Sequence, residues 1–234
     1  MKPLARRGTT LVELLVALAI GLLVVAGAGV LLLAQLAEQR HLTRETELHQ
    51  DLRAAADLML RETRRAGFWG AAERSVWMPG APAPPRNPYA TDPPCRLASG
   101  AEQFAYAYAN PAAAAEERLD ASQVFGWRVA DGVLQFMLGC ANGAPNWQPL
   151  TDPDTLRLGA PTALRVVVTA LDLSAYCSRP CPVDGGVAAD CPRVELRRVE
   201  IALRGAAVHD AAPEPTLGLA LHQRNARVRG ACPP

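Results

Sequence analysis

Six cysteines, four histidines and an aspartate pair in "TDPDT" are the side chains whose types and spacing suggest chemistry in this 234-residue chain. Cys177 and Cys181, with three residues between them, approach the spacing of a zinc half-site. A second tight pair is missing, and no histidine stands close to them in sequence. All six cysteines (Cys95, Cys140, Cys177, Cys181, Cys191, Cys232) follow residue 90, downstream of a long apolar segment. An even set placed there fits disulfides in an oxidising compartment better than a metal centre. The nine residues between Cys181 and Cys191 include Gly185 and Gly186, which let the chain turn back, so these two are expected to pair. Cys95–Cys140 and Cys177–Cys232 complete the set by elimination, out of the several pairings six cysteines allow.

Asp152 and Asp154 are oxygen donors of the kind Ca²⁺ takes, but two aspartates around a proline read first as a turn. His41, His49, His209 and His222 have no nucleophile at motif spacing, and G-x-S-x-G, Walker and H-E-x-x-H patterns are missing. No catalytic residue, metal or cofactor is expected, and the chain does not read as an enzyme. Charge also argues against a nucleic-acid surface. The chain holds 24 basic and 23 acidic residues; without Lys2, Arg6 and Arg7 the balance is 21 against 23. Phosphate binding needs a basic stripe, and none is visible.

The elements that must carry these residues begin with the apolar segment. From Leu14 to Ala34 the chain has 21 uncharged residues, enough for a helix to span about 30 Å of hydrocarbon. Glu13 stands at its mouth, where a carboxylate is costly unless it reaches the interface. A secretory signal would place its small residue after the apolar core, whereas Gly8 precedes it. Lys2, Arg6 and Arg7 put the N-terminus on the cytoplasmic side by the positive-inside rule, and the cysteine-bearing remainder outside.

"RRGTTLVELLVALAIG" resembles the class III leader of type IV prepilins and pseudopilins. The resemblance implies cleavage by a prepilin peptidase between Gly8 and Thr9, and methylation of the new Thr9 amine. It also implies that Glu13, fifth in the mature chain, serves assembly. Thr9 departs from the phenylalanine usual in that family. A carboxylate from Glu13 would neutralise the Thr9 amine of a neighbouring subunit. Two charges in a low dielectric are tolerable only when they meet, so unpaired registers are penalised.

No proline occurs between residues 4 and 78 and no glycine between 30 and 66, so one helix is expected over about residues 10–66. Leu48, Leu52, Ala55 and Met59 form its core-facing stripe. Gly67, behind Arg64 and Arg65, supplies the stop. "ETRRAGFWG" resembles the helix end of PilW-type minor pilins, and "NWQPLTDPDTLRL", "RRVEIALRG" and "LHQRNARVRG" follow that family's style.

Seven prolines over residues 79–94 make an extended loop. Phe104, Tyr106 and Tyr108 alternate as a short strand, and Asp131-Gly132 turns a hairpin. "ALRVVVTAL" reads as a buried strand. In "RVELRRVEIALRG" the apolar parity changes, which a bulge near Arg197-Arg198 would repair. One antiparallel sheet packed on the helix end is expected.

The fold class is therefore α+β: a long N-terminal pilin-like helix, transmembrane half plus domain-packed half, with a C-terminal antiparallel β-sheet domain. The expected divisions are a leader at 1–8, a transmembrane part at 9–34, a periplasmic helix at 35–67 and a periplasmic head at 68–234. The resemblance implies a minor pilin for type IV pilus assembly, in a priming or tip complex. Its partners would be other minor pilins, the major pilin, the prepilin peptidase and the inner membrane. A minor pseudopilin of type II secretion is the nearest alternative. A membrane-anchored periplasmic enzyme or binding module is the alternative of another class.

Overall fold

A computed structural model describes residues 10–81, 83, 86–97, 102–110, 118–181, 191–208 and 214–233. The chain divides into two compact units, residues 1–47 and 48–234. Helix α1 (Leu11–Thr63) belongs to both and has 53 residues, about 80 Å at the α-helical rise. Its first buried side chain is Leu48.

In the second unit α1 buries Leu48, Leu52, Ala55, Ala56, Met59 and Thr63, the expected stripe with two additions. The helix ends by tightening: Arg65 N–H donates to the Glu62 carbonyl and Ala66 N–H to that of Thr63. Gly67 then takes φ +73° and its N–H donates to the Ala107 carbonyl at 2.8 Å. An L-residue resists that backbone, and a Cβ there would lie 3.0 Å from the Asn225 Cβ.

Among the described residues eight strands follow: β1 (Gln103–Ala107), β2 (Val124–Ala130), β3 (Val133–Ala141), β4 (Ala144–Pro149), β5 (Leu156–Asp172), β6 (Arg193–Ala207), β7 (Thr216–His222) and β8 (Arg227–Arg229). They make two antiparallel sheets rather than one. The first runs β1-β2-β3-β4; the second runs β5-β6-β7, with β8 paired to β6. β4 contains Pro145 and Pro149, which lack the N–H that a further ladder would use, so it reads as an edge. β5 therefore starts a separate sheet. It meets the first through the Leu158 N–H on the Gly132 carbonyl and the Leu164 N–H on Glu102 Oε2.

The Asp131-Gly132 hairpin joins β2 to β3, with both residues at positive φ. Asn142-Gly143 does the same for β3 and β4, a second such hairpin that "CANGAP" also signals. The inner faces meet α1 in one core, with Tyr106, Trp127 and Leu134 from the first sheet and Leu164, Val199, Ile201 and Leu203 from the second. Gly205 lets the helix approach: a Cβ there would fall 2.8 Å from Leu156 Cδ1 and 3.0 Å from Leu52 Cδ2. Leu52 is almost fully buried at that contact. Leu52→Ala should lower head stability by about 2–5 kcal/mol, read by urea unfolding in detergent; a loss below about 1 kcal/mol would contradict this packing.

Two strand expectations are corrected. β6 has no bulge at Arg197-Arg198, since its pairing with β5 is unbroken from Ala163↔Ala202 to Asp172↔Arg193. Val199, Ile201 and Leu203 face the core, while Val194 and Leu196 lie on the opposite face. The register shift falls in β5, between Gly159 and Ala163. Only part of "ALRVVVTAL" is buried, for Val168 and Leu171 are about half exposed. β5 has a single ladder partner, so its far end gains no cover from a second neighbour.

Candidate functional site

Gly8 and Thr9 lie outside the described residues. Thr10 is the first that can be described. Its side-chain oxygen accepts the Glu13 N–H at 3.3 Å, and its carbonyl accepts the Leu14 N–H at 3.2 Å. Thr10 is thus the N-cap of α1 and Glu13 its third residue, the order of a capping box, of which this is one half. A carboxylate in the first turn also favours the positive end of the helix dipole. "TLVE" carries this local role, which a reading of Glu13 as a membrane-edge acid leaves out.

On both sides of Glu13 the large apolar side chains from Leu11 to Leu33 are 51–77 % exposed. They surround the helix instead of forming one stripe. A helix apolar on every side and bare of protein needs lipid or other helices around it. It is the one described helix long and apolar enough to cross a membrane.

Residues 4–29 match the model of the prokaryotic N-terminal methylation motif, a span that includes Gly8, Thr9 and Glu13. Residues 41–224 match the family model described as prepilin peptidase-dependent protein B. The chain belongs to that family. No curated protein and no solved structure matches it. As a member of the prepilin peptidase-dependent protein B family it is a structural, pilin-like protein, processed by the peptidase and assembling with partners of pilin type. Its motif and bare helix make it membrane-anchored in kind.

The end of α1, "ETRRAGFWG", is where the head grips the helix. Glu62 Oε2 accepts the Tyr108 hydroxyl at 2.9 Å and pairs with Arg65 at 3.2 Å. The Arg65 guanidinium lies 4.0 Å from the centre of the Tyr108 ring. Burial, then the bond to Glu62, pushes the Tyr108 hydroxyl well above its ordinary range, so it stays a donor. The Ala66 carbonyl accepts from Asn225 Nδ2, and the Gly67 carbonyl from Asn87 Nδ2. One short segment thus holds β1, the proline-rich loop and the C-terminal stretch. Its residue types follow from these contacts.

The cysteines form three bridges: Cys95–Cys140, Cys177–Cys232 and Cys181–Cys191, with Cα separations of 5.7, 5.3 and 6.0 Å. The first ties the proline-rich loop to β3. The second ties the segment after β5 to the C-terminus. Cys177 and Cys181 go to different partners, so their spacing is not a metal half-site. Asp152 is engaged in a turn, its Oδ1 accepting the Asp154 N–H at 2.9 Å. Among the described residues no cluster of three or more His, Cys, Asp or Glu could hold a metal.

An ion cluster that sequence reasoning missed latches the proline-rich loop to the second sheet. Asp92 accepts from Arg197 and Arg227, each at 3.1 Å, and from Arg229 at 2.8 Å. Arg229 also meets Glu195 at 3.0 Å. Arg197, Arg227 and Arg229 come from β6 and β8, on the face that continues Val199, Ile201 and Leu203. That placement is why Val194 and Leu196 point the other way. Partial burial raises the Asp92 carboxyl, but the Arg197 hydrogen bond, the Arg227 charge and the Arg229 hydrogen bond outweigh it, leaving it below its ordinary value. Its stabilisation is therefore complete above the ordinary aspartate value of about 3.9 and is lost as pH falls through the lower folded value. The gap in thermal midpoint between the wild-type protein and Asp92→Asn should shrink as pH falls below the ordinary aspartate value of about 3.9. A gap that stays constant would refute the latch.

Proposed function

We propose that this protein is a PilW-type minor pilin, a structural subunit of the complex that primes or caps a type IV pilus. Residues 1–8 are the leader, residues 9–34 the membrane part of the helix, and residues 35–67 its periplasmic part. The head, 68–234, is periplasmic and the N-terminus cytoplasmic. Gly8 and Thr9 flank the cut, Thr9 carries the methyl group, and Glu13 sets subunit register.

One observation carries this reading: a helix with exposed leucines and valines on all sides follows a processing motif and leads into a disulfide-closed head. An enzyme anchor needs only lipid around such a helix. A pilin helix must be comfortable first in lipid and then among other helices, and uniform aliphatic cover with Gly21, Gly27 and Gly29 suits both.

The test is recovery of tagged protein from native membranes. Other minor pilins and the major pilin should co-purify, and deletion of the gene should reduce surface pili. Recovery with secretion-system subunits instead, and a secretion defect with normal pili, would assign it as a type II pseudopilin. A head that retains activity on a substrate without any pilin partner would return the anchored-enzyme alternative.

A further inference from the structure

Beside the core stripe of α1 the head carries an open groove of about 320 Å³ with no occupant of its own chain among the described residues. Ala54, Ala55 and Leu58 form one wall, and Leu150 and Leu156 face them from the approach to β5. Asp51 and Asp152 line the same groove, which contains no lysine or arginine among the described residues. Among the described residues neither carboxylate forms an ion pair. Asp152 spends Oδ1 on its own turn and keeps Oδ2 for a partner.

We infer that this groove receives an arginine or lysine side chain of a different pilin-type subunit. Charge complementarity selects that occupant. The aliphatic stem of such a side chain would cover Ala54, Leu58 and Leu150, and its cation would lie against Asp51 and Asp152. A purely apolar guest would leave both carboxylates desolvated without a counter-charge, and an acidic one would be repelled. Ala54 and Ala55 add no bulk beyond Cβ, so a neighbour can come close to the helix there. The inference rests on the pilin reading and adds the surface by which the head holds its neighbour.

The experiment uses the full chain in native membranes. A benzoylphenylalanine photocrosslinker at Leu150 should capture another minor or major pilin, with the adduct mapped beside an arginine or lysine. Asp51→Lys places a cation on an exposed helix position and should cut recovery of that partner by about tenfold or more. Ala54→Phe fills the groove without touching its charge and should do the same. Thermal unfolding of both variants should match that of the wild-type head. Recovery of the partner at wild-type level with both variants overturns the groove while leaving the pilin reading intact. An adduct to a second copy of this chain, or to a protein that is not a pilin, overturns the assigned occupant. Wild-type protein that recovers no pilin at all overturns both.

Discussion

A chain carrying Gly8→Val is expected to remain at precursor length in cells that convert the wild-type chain completely. The residue before the cut must fit a membrane-embedded peptidase, and a branched Cβ stiffens and crowds that position. Gly8→Ala adds one methyl group and should slow conversion without stopping it. The consequence reaches beyond processing. An uncut chain keeps Lys2, Arg6 and Arg7 at the cytoplasmic face. Each cation costs about 2.5–3.5 kcal/mol or more at the bilayer centre, so drawing that end out into a fibre is prohibited. The Gly8→Val protein should therefore insert normally, stay in the membrane and be missing from pilin complexes. Intact mass with N-terminal sequencing reads the outcome. A wild-type chain that begins at Met1, or a Gly8→Val chain that begins at Thr9, would remove the leader reading.

The long helix was legible because its signals are local and agree. No proline or glycine interrupts residues 31–66, and Leu48, Leu52, Ala55 and Met59 keep helical spacing. The structure ends α1 at Thr63 and puts Gly67 at the turn. The aromatic strand and the Asp131-Gly132 hairpin were readable for the same reason: turn chemistry and alternation lie within a few residues.

What was not legible is whatever depends on which strand comes to lie beside which. The division into two sheets rests on where β5 finds a partner, a matter of β5 and β6 separated by about 20 residues in sequence. The parity change in β6 looked like a defect for a bulge to repair. In the structure its cause is far away in sequence: Asp92, Arg227 and Arg229 claim the inner face beside Glu195 and Arg197. A bare hydrophobic pattern does not announce that half of one sheet face is ionic. In the amino-terminal segment the motif marked Glu13, but it did not distinguish a charge meant for a neighbour from a carboxylate that favours its own helix start.

Glu13→Gln separates those two roles. Glutamine can supply the side-chain half of a capping box as glutamate can, so it keeps that role while deleting the charge. Glu13→Ala removes the side chain from both roles, although the backbone N–H that Thr10 Oγ1 accepts remains. Loss of the reciprocal half of a cap costs less than the ~1 kcal/mol of a whole one, which a helix with this much apolar surface in lipid absorbs without losing insertion. Loss of the counter-charge is worse. It leaves a neighbour's Thr9 amine unpaired in low dielectric, a penalty of about 3–5 kcal/mol when fully buried and less near the interface. Insertion and leader cleavage precede assembly, so both variants should be cut and membrane-bound. Both should then be depleted from the complex with other minor pilins, Gln nearly as far as Ala, and surface pili should fall with them. An amide can accept a hydrogen bond from the amine but cannot neutralise it. Co-purification and a pilus count decide between the roles. If Gln assembles normally and Ala does not, Glu13 is a helix cap and no register charge. If both assemble normally, the acid is only tolerated at the membrane edge.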